Sequence, residues 1–434
     1  MDINKIYTWF NECESVTTDT REIKKNSLFI GLLGPNFNGG GFAEKAIEQG
    51  AKYAVIQKPI SSNHPQVMVV DDTLLCLQQL AKKHRETWTH PVLAITGSNG
   101  KTTCKELISS VLSKKHQVHA TPGNFNNHIG LPLTILNAPK QHNFTILEMG
   151  ASKPGDIQEL CEIGSPQYGV ITNIGAAHLE GFGSLDGVLQ TKTELFRFIE
   201  AKETATGVFC NSDFPELKST LCLGNFSKQY SGDYKSTLIS GFPFLKIALS
   251  NNDQTIEINT QLTGKYNLAN INLATLIGQY FDVDLRAIKN AIEAYIPSNN
   301  RSQLINKDGK TYILDAYNAN PNSVMAALDN LLESVKGNKG SVLAFLGEMG
   351  ELGADSQALH QQIISHLEAQ NIPAYCIGVE FAKCTTHNAL IHLKTSYDPI
   401  ELMELVKKSD TILIKGSRST KMEEKIKAVV PGLF

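Results

Sequence analysis

Short apolar runs, bounded by glycine, proline and polar clusters, recur along the chain and alternate with stretches of helical spacing. Before residue 89, Ser27–Gly31 and Tyr53–Ile56 read as strands, and Phe42–Gly50 between them reads as a short helix closed by glycine. His90-Pro91 breaks the pattern. Beyond it, Val92–Thr96, Asn143–Leu147 and Tyr168–Thr172 are apolar runs of strand length, and a helix after the first reaches Leu112. Apolar strands separated by helices predict a parallel sheet with both faces covered. The segment 205–262 is poor in helix signals and rich in short β runs, which predicts an antiparallel flank. After Ile296-Pro297-Ser298-Asn299-Asn300 the alternation restarts with strands at Tyr312–Asp315, Ser341–Leu346 and Thr411–Lys415. The expected organisation is α/β in three domains, 1–89, 90–297 and 298–434.

Composition narrows the class without choosing a function. A chain of 434 residues is too long for one hydrophobic core, and 41% hydrophobic with 19% charged residues is ordinary for a globular protein. A formal net charge of −3 gives no basic field for nucleic acid or an anionic membrane, so neither is expected as a partner. Eight cysteines without CxxC spacing fit a reducing compartment better than a disulfide scaffold or a zinc site. The start Met1-Asp2-Ile3-Asn4-Lys5 lacks the pattern of a signal peptide, and no apolar run approaches bilayer length. A cytoplasmic protein is expected.

The strongest chemical signal is Ile95-Thr96-Gly97-Ser98-Asn99-Gly100-Lys101-Thr102-Thr103, between a strand and a helix. Glycines there let backbone N–H groups approach phosphates, and the helix N-terminus favours negative charge. Lys101 would reach the β- and γ-phosphates, and a threonine hydroxyl such as that of Thr102 would serve Mg²⁺. Ile95 stands where the standard phosphate loop has glycine, which disfavours a motor-type NTPase. Magnesium takes one or two carboxylates together with phosphate oxygens and water. Glu148 ends a strand beside the loop, and His178 follows another strand at the same sheet edge.

Together these residues resemble the Mur ligase family, and the likeness runs through all three expected domains. Asn124-Phe125-Asn126-Asn127 resembles the family's asparagine-rich loop near the γ-phosphate, and Lys192 falls where the family carries a carbamylated lysine. Gly264-Lys265-Tyr266-Asn267-Leu268-Ala269-Asn270 resembles the adenine-contacting segment, with Tyr266 in place of the usual histidine; Arg301 resembles an arginine that reaches the nucleotide from the third domain. Thr17-Thr18-Asp19-Thr20-Arg21 resembles a UDP-muramoyl recognition segment, and the loop Gly34–Phe42 after it lacks the family's histidine near Gly41. Asp315-Ala316-Tyr317-Asn318-Ala319-Asn320-Pro321-Asn322-Ser323 resembles the branch that accepts D-alanyl-D-alanine. Asp315 would meet the ribose or orient ATP, and Asn318 and Asn320 would meet the dipeptide. Lys415 and Arg418 are candidates for a substrate carboxylate.

The resemblance implies a small N-terminal α/β substrate domain, a central mainly parallel-sheet P-loop-like ATPase domain and a C-terminal Rossmann-like α/β domain. It implies amide-bond formation through an acyl phosphate, with UDP-N-acetylmuramoyl-tripeptide, D-alanyl-D-alanine, ATP and two Mg²⁺ ions, by a monomer. Lys101, Asn127, His178 and Lys192 would be catalytic; Thr102, Glu148, His178 and carbamylated Lys192 would hold metal. The loop Gly97 to Thr103, with Asn267, Asn270, Arg301 and Asp315, would hold ATP. Thr18, Asp19, Thr20, Arg21, Asn124, Tyr317, Asn318, Asn320, Lys415 and Arg418 would hold the other substrates. Three readings compete with this one: a Mur ligase adding a single amino acid, a folylpolyglutamate synthetase, and a nucleotide-binding regulator without ligase activity.

Overall fold

The computed structural model describes residues 2–57, 64–202, 206–297, 301–336 and 340–433. The expected boundary at 297/298 abuts residues 298–300, which lie outside the described residues, as does residue 205 of the expected flank. Three main sheets follow one another along the chain. The first is parallel, in the order Ser15–Thr17, Ser27–Gly31, Ala51–Ile56, Val67–Val69. The helix expected over Phe42–Gly50 begins as a 3₁₀ turn at Gly39–Phe42, where the Asn38 side chain accepts from Gly40 N–H, and is α-helical only over Ala43–Glu48.

In the second sheet Val92–Thr96 lies between Phe144–Glu148 and Tyr168–Ile171, all parallel, with Val118–Ala120 at the edge. Side chains alternate across Val92–Thr96. Leu93 and Ile95 pack with the helices Lys101–Leu112 and Asn267–Tyr280, while Val92 and Ala94 share a core with Ile6, Leu77 and Leu80 of the first domain. The flank expected to be antiparallel splits. Gly207–Asn211 and Cys222–Phe226 extend the parallel ladder, because a connection through the 3₁₀ turn Pro215–Leu217 separates them. Pairing turns antiparallel from Tyr230–Ser231 to Thr255–Asn259, where short loops join the strands.

The third sheet places Thr411–Lys415 between Lys310–Asp315 and Val342–Gly347, all parallel; Gln303–Lys307 runs antiparallel at one edge. No helix among the described residues is long and apolar enough to cross a membrane.

Four histidines cluster around Trp88 where the first two domains join. Trp88 lies 5.7 Å from His84, 5.1 Å from His90 and 4.7 Å from His142 between ring centres, and His119 is 5.7 Å from His142. Burial holds all four below the ordinary imidazole value, His84 and His90 at about 4. An unfolded chain takes up protons as the pH falls from about 6.5, and the folded chain resists until about 4. Stability from this cluster is therefore complete above about pH 6.5 and is lost towards pH 4. Thermal melts between pH 7 and pH 5 are expected to show a falling midpoint, with a shallower fall in His84→Phe; an equal slope in the variant would contradict this.

Candidate active site

In the second sheet the strand order reverses on either side of Val92–Thr96, which opens a crevice at the carboxyl ends of the strands. The loop after Thr96 is held there by close packing. Gly97 has φ +140°, and a Cβ on it would meet Thr172 Oγ1 at 2.0 Å. Asn99 N–H donates to Asn173 Oδ1 at 2.9 Å, and Ser98 Oγ donates to the Gly175 carbonyl at 2.9 Å. Gly100, left-handed, precedes the helix Lys101–Leu112 without a side-chain cap, so the first N–H groups of the helix remain available to an anion. Lys101 Nζ folds back onto the carbonyls of Gly97 (2.7 Å) and Ser98 (3.2 Å). Its pKa is lowered by burial, against the attraction of Glu148.

A cavity of about 1160 Å³ is lined by residues 98–103, Asn127, Glu148, His178, Asn267, Asn270, Arg301, Asp315, Tyr317, Asn318, Asn320 and Lys415. A second cavity, of about 770 Å³, shares Thr102, His178, Arg301, Tyr317 and Asn318 with it and adds Asn124 and Arg418. Sequence segments from the second and third domains thus meet at one place. Thr18, Asp19, Thr20 and Arg21 line neither cavity. They form a turn of the first domain, in which Arg21 pairs with Asp19 and pulls its carboxyl down to about 2.

Glu148 is 1% exposed. Its Oε1 accepts from Asn126 Nδ2 at 2.8 Å, while Oε2 lies 4.0 Å from Lys105 Nζ and has no hydrogen-bond partner among the described residues. A buried carboxylate oxygen left bare beside the phosphate loop fits a cation ligand. Among the described residues no three His, Cys, Asp or Glu side chains gather closely enough to cage a metal. A single carboxylate oxygen is the kind of protein donor that magnesium takes together with phosphate oxygens and water. Thr102, 4% exposed, is the second residue of the helix Lys101–Leu112.

Lys192 is 2% exposed, with Nζ 5.4 Å from the centre of the Phe182 ring and no ion pair among the described residues. Burial, and then the charge of Lys101, lower its pKa well below the ordinary lysine value. His178 Nδ1 lies 2.6 Å from Glu351 Oε2 of the third domain. Both residues have positive φ, 53° and 61°, and Glu180 N–H donates to the Glu351 carbonyl at 3.1 Å.

Several expected ligand contacts already have protein partners. Asn127 Oδ1 accepts from Ile129 and Gly130 N–H in the turn that precedes the helix Gly130–Leu136. Asn126 beside it is the residue that reaches Glu148. Asn320 caps the helix Pro321–Glu333 through Oδ1, and its Nδ2 donates to Asn99 Oδ1 at 2.7 Å, tying the third domain to the phosphate loop. Lys415, expected at a substrate carboxylate, is 2% exposed and pairs with Asp315 at 2.5 Å. Arg418 keeps a mostly exposed side chain, 3.2 Å from Glu423. Tyr317 lies under Arg301, with 3.7 Å from guanidinium to ring centre, and 6.0 Å from Arg418. Asn267 and Asn270 bond to each other at 2.8 Å, and Asn270 accepts from Cys104 at 3.0 Å. Lys105, Ser302 and Glu351 were not singled out by the sequence. Nothing local in the sequence marks the partner of any of the three.

Three family models match in succession: the Mur ligase family catalytic domain over residues 12–85, the Mur ligase middle domain over 95–278, and the Mur ligase glutamate ligase domain over 300–418. The chain is 34% identical to the UDP-N-acetylmuramoyl-tripeptide--D-alanyl-D-alanine ligase of Bacillus subtilis (strain 168), covering 96% of this chain and 93% of that protein. The like-named ligase of Escherichia coli (strain K12) is 31% identical at the same coverages. Among solved structures, MurF from Acinetobacter baumannii superposes with a TM-score of 0.86 at 25% identity, covering 98% of both chains. MurF ligase from Thermotoga maritima, solved with ADP, gives 0.84 at 27% identity, again with 98% coverage of both.

Proposed function

The chain belongs to the Mur ligase family, and on that premise we propose that it joins D-alanyl-D-alanine to UDP-N-acetylmuramoyl-tripeptide at the expense of ATP. The observation that carries this reading is the meeting, at one pair of cavities, of the phosphate loop, Glu148 with one carboxylate oxygen free of hydrogen bonds among the described residues, and the Tyr317–Asn318 segment. The full-length likeness to ligases named for that reaction supports the choice of acceptor.

In the first step a carboxylate oxygen of the tripeptide attacks the γ-phosphorus, the bond to the ADP oxygen breaks, and an acyl phosphate forms. In the second the dipeptide's amine attacks the acyl carbon, the amide bond forms as the nitrogen gives up a proton to solvent, and phosphate leaves. Lys101 would turn from the Gly97 and Ser98 carbonyls to the β- and γ-phosphates, and the free N–H groups of its helix would take up further charge. Glu148 and Thr102, with His178 and a carbamate on Lys192, would hold two magnesium ions, which when bound neutralise phosphate charge. Lys192 suits carbamylation because a neutral amine is the form that adds CO₂, and a buried site with no ion pair among the described residues disfavours the ammonium. Asn267, Asn270, Arg301 and Asp315 would surround the nucleoside. Arg418, Asn318 and Asn124 would face the second cavity for the peptide substrates, and the turn Thr18 to Arg21 would take the UDP end. Work in the cytoplasm as a monomer, across domains 1–89, 90–297 and 298–434, completes the reading.

The test is a mass measurement of the product formed from the UDP-linked tripeptide, ATP and D-alanyl-D-alanine. A gain of one dipeptide residue mass is expected, and a gain of nothing with any acceptor would favour the regulator reading.

A further inference from the structure

Tyr266 lines the large cavity, and its hydroxyl is engaged within the protein. Tyr266 Oη lies 2.6 Å from Ser302 Oγ, and Ser302 in turn meets Asp315 Oδ1 twice, through its N–H at 3.0 Å and through Oγ at 3.3 Å. Lys415 Nζ holds the other carboxylate oxygen at 2.5 Å. The direction of this chain is fixed by chemistry. An ionised carboxylate only accepts, so Ser302 donates its hydroxyl proton to Asp315, and Tyr266 must then donate to Ser302.

Two further features show that the arrangement is built into the local fold. Ser302 is 7% exposed and sits at φ +51°, a left-handed conformation that a residue with a Cβ keeps only when its surroundings impose it. Gly264 has φ +84°, and a Cβ there would strike the Tyr266 ring at 2.3 Å, so the ring lies where only glycine lets it lie. A carboxylate has about four acceptor positions. Ser302 N–H, Ser302 Oγ and Lys415 occupy three of those of Asp315, which leaves one for a donor from the cavity it borders.

We propose that Tyr266 is a positioning residue, which acts through Ser302 to aim the last free acceptor of Asp315 at a single ribose hydroxyl of the nucleotide. This rests on the reading of the large cavity as the ATP site. Tyr266 then governs selection of the sugar and not of the base. The chain crosses from the second domain to the third, so sugar recognition and the docking of the two domains share one hydroxyl.

The experiment compares ATP, 2′-deoxy-ATP, 3′-deoxy-ATP and inosine triphosphate by titration calorimetry and by KM, in the full-length protein and in Tyr266→Phe, Ser302→Ala and the double variant. The unaltered protein is expected to prefer ATP over one deoxy analogue by roughly tenfold, the scale of one hydrogen bond to a charged group. Each single variant is expected to shrink that preference to within about threefold, the double variant no further, and the ratio of inosine triphosphate to ATP to stay as it was. A changed base ratio with an intact sugar ratio in Tyr266→Phe would make Tyr266 a base contact and overturn the proposal. Unchanged ratios in both single variants would overturn it as well, as would no sugar preference at the outset. Failure of the unaltered protein to bind any of the four nucleotides would instead refute the ATP-site reading on which the proposal stands. Ser302→Ala keeps the test decisive if Tyr266→Phe folds poorly.

Discussion

Lys101→Ala is expected to lower the rate of substrate-dependent phosphate release by about a thousandfold, the scale of losing a preorganised charge aimed at a transferring phosphoryl group. Two properties of the site argue for so large an effect. Lys101 is half-buried against two backbone carbonyls, so its charge is less screened than on an open surface. Its bonds to Gly97 and Ser98 also shape the loop that receives the phosphates. Arginine is not expected to rescue, because a planar guanidinium does not fit the space of a compact ammonium between two carbonyls of one turn. Stopped-time phosphate assays at saturating ATP separate the rate effect from weakened binding. A variant within tenfold of the unaltered protein would remove Lys101 from the chemistry.

The second large effect is expected at Lys192, and it has two parts of opposite sign. Lys192→Met should lower turnover by about a hundredfold or more, since an anionic ligand formed on the amine would be lost. The same substitution should raise the thermal midpoint in CO₂-depleted buffer, because an amine that is 2% exposed and has no ion pair among the described residues gives way to an apolar chain of similar length. In the unaltered protein, CO₂ depletion should lower activity and bicarbonate should restore it, while Lys192→Met should ignore both. Bicarbonate-independent activity in the unaltered protein would contradict carbamylation. A destabilised Lys192→Met would mean that the ammonium is satisfied in a way that its surroundings do not indicate.

Much of the fold was legible because its strands announce themselves locally. Val92–Thr96 and Thr411–Lys415 are uninterrupted apolar runs between polar turns, and both are strands over those same residues. The loop from Gly97 to Thr103 was legible for a related reason: a strand, a glycine turn and a helix are all near neighbours in sequence. Partnerships across the fold were not legible. Glu351 meets His178 across 173 positions of sequence, and Asn320 meets Asn99 across 221. Neither residue carries a local mark of its partner.

Residue type also misled where one side chain has two possible tasks. Asparagine serves equally as a helix cap and as a ligand contact. At Asn320 the cap takes the carbonyl oxygen, at Asn127 the turn before a helix takes it, and a sequence gives no means of deciding between such a task and a ligand contact. Lysine at a strand end reads as a waiting cation, yet Lys415 lies in a buried pair with Asp315, because the parallel register sets the two strands' last residues side by side.

The central claim is that ATP cleavage at this site is coupled to addition of D-alanyl-D-alanine to the UDP-linked tripeptide. Phosphate release should be measured with purified protein, Mg²⁺, bicarbonate, ATP and the tripeptide substrate, in parallel with D-alanyl-D-alanine and with single amino acids. Release that requires the dipeptide is the expected result; release sustained by a single amino acid, or by no acceptor at all, would contradict it.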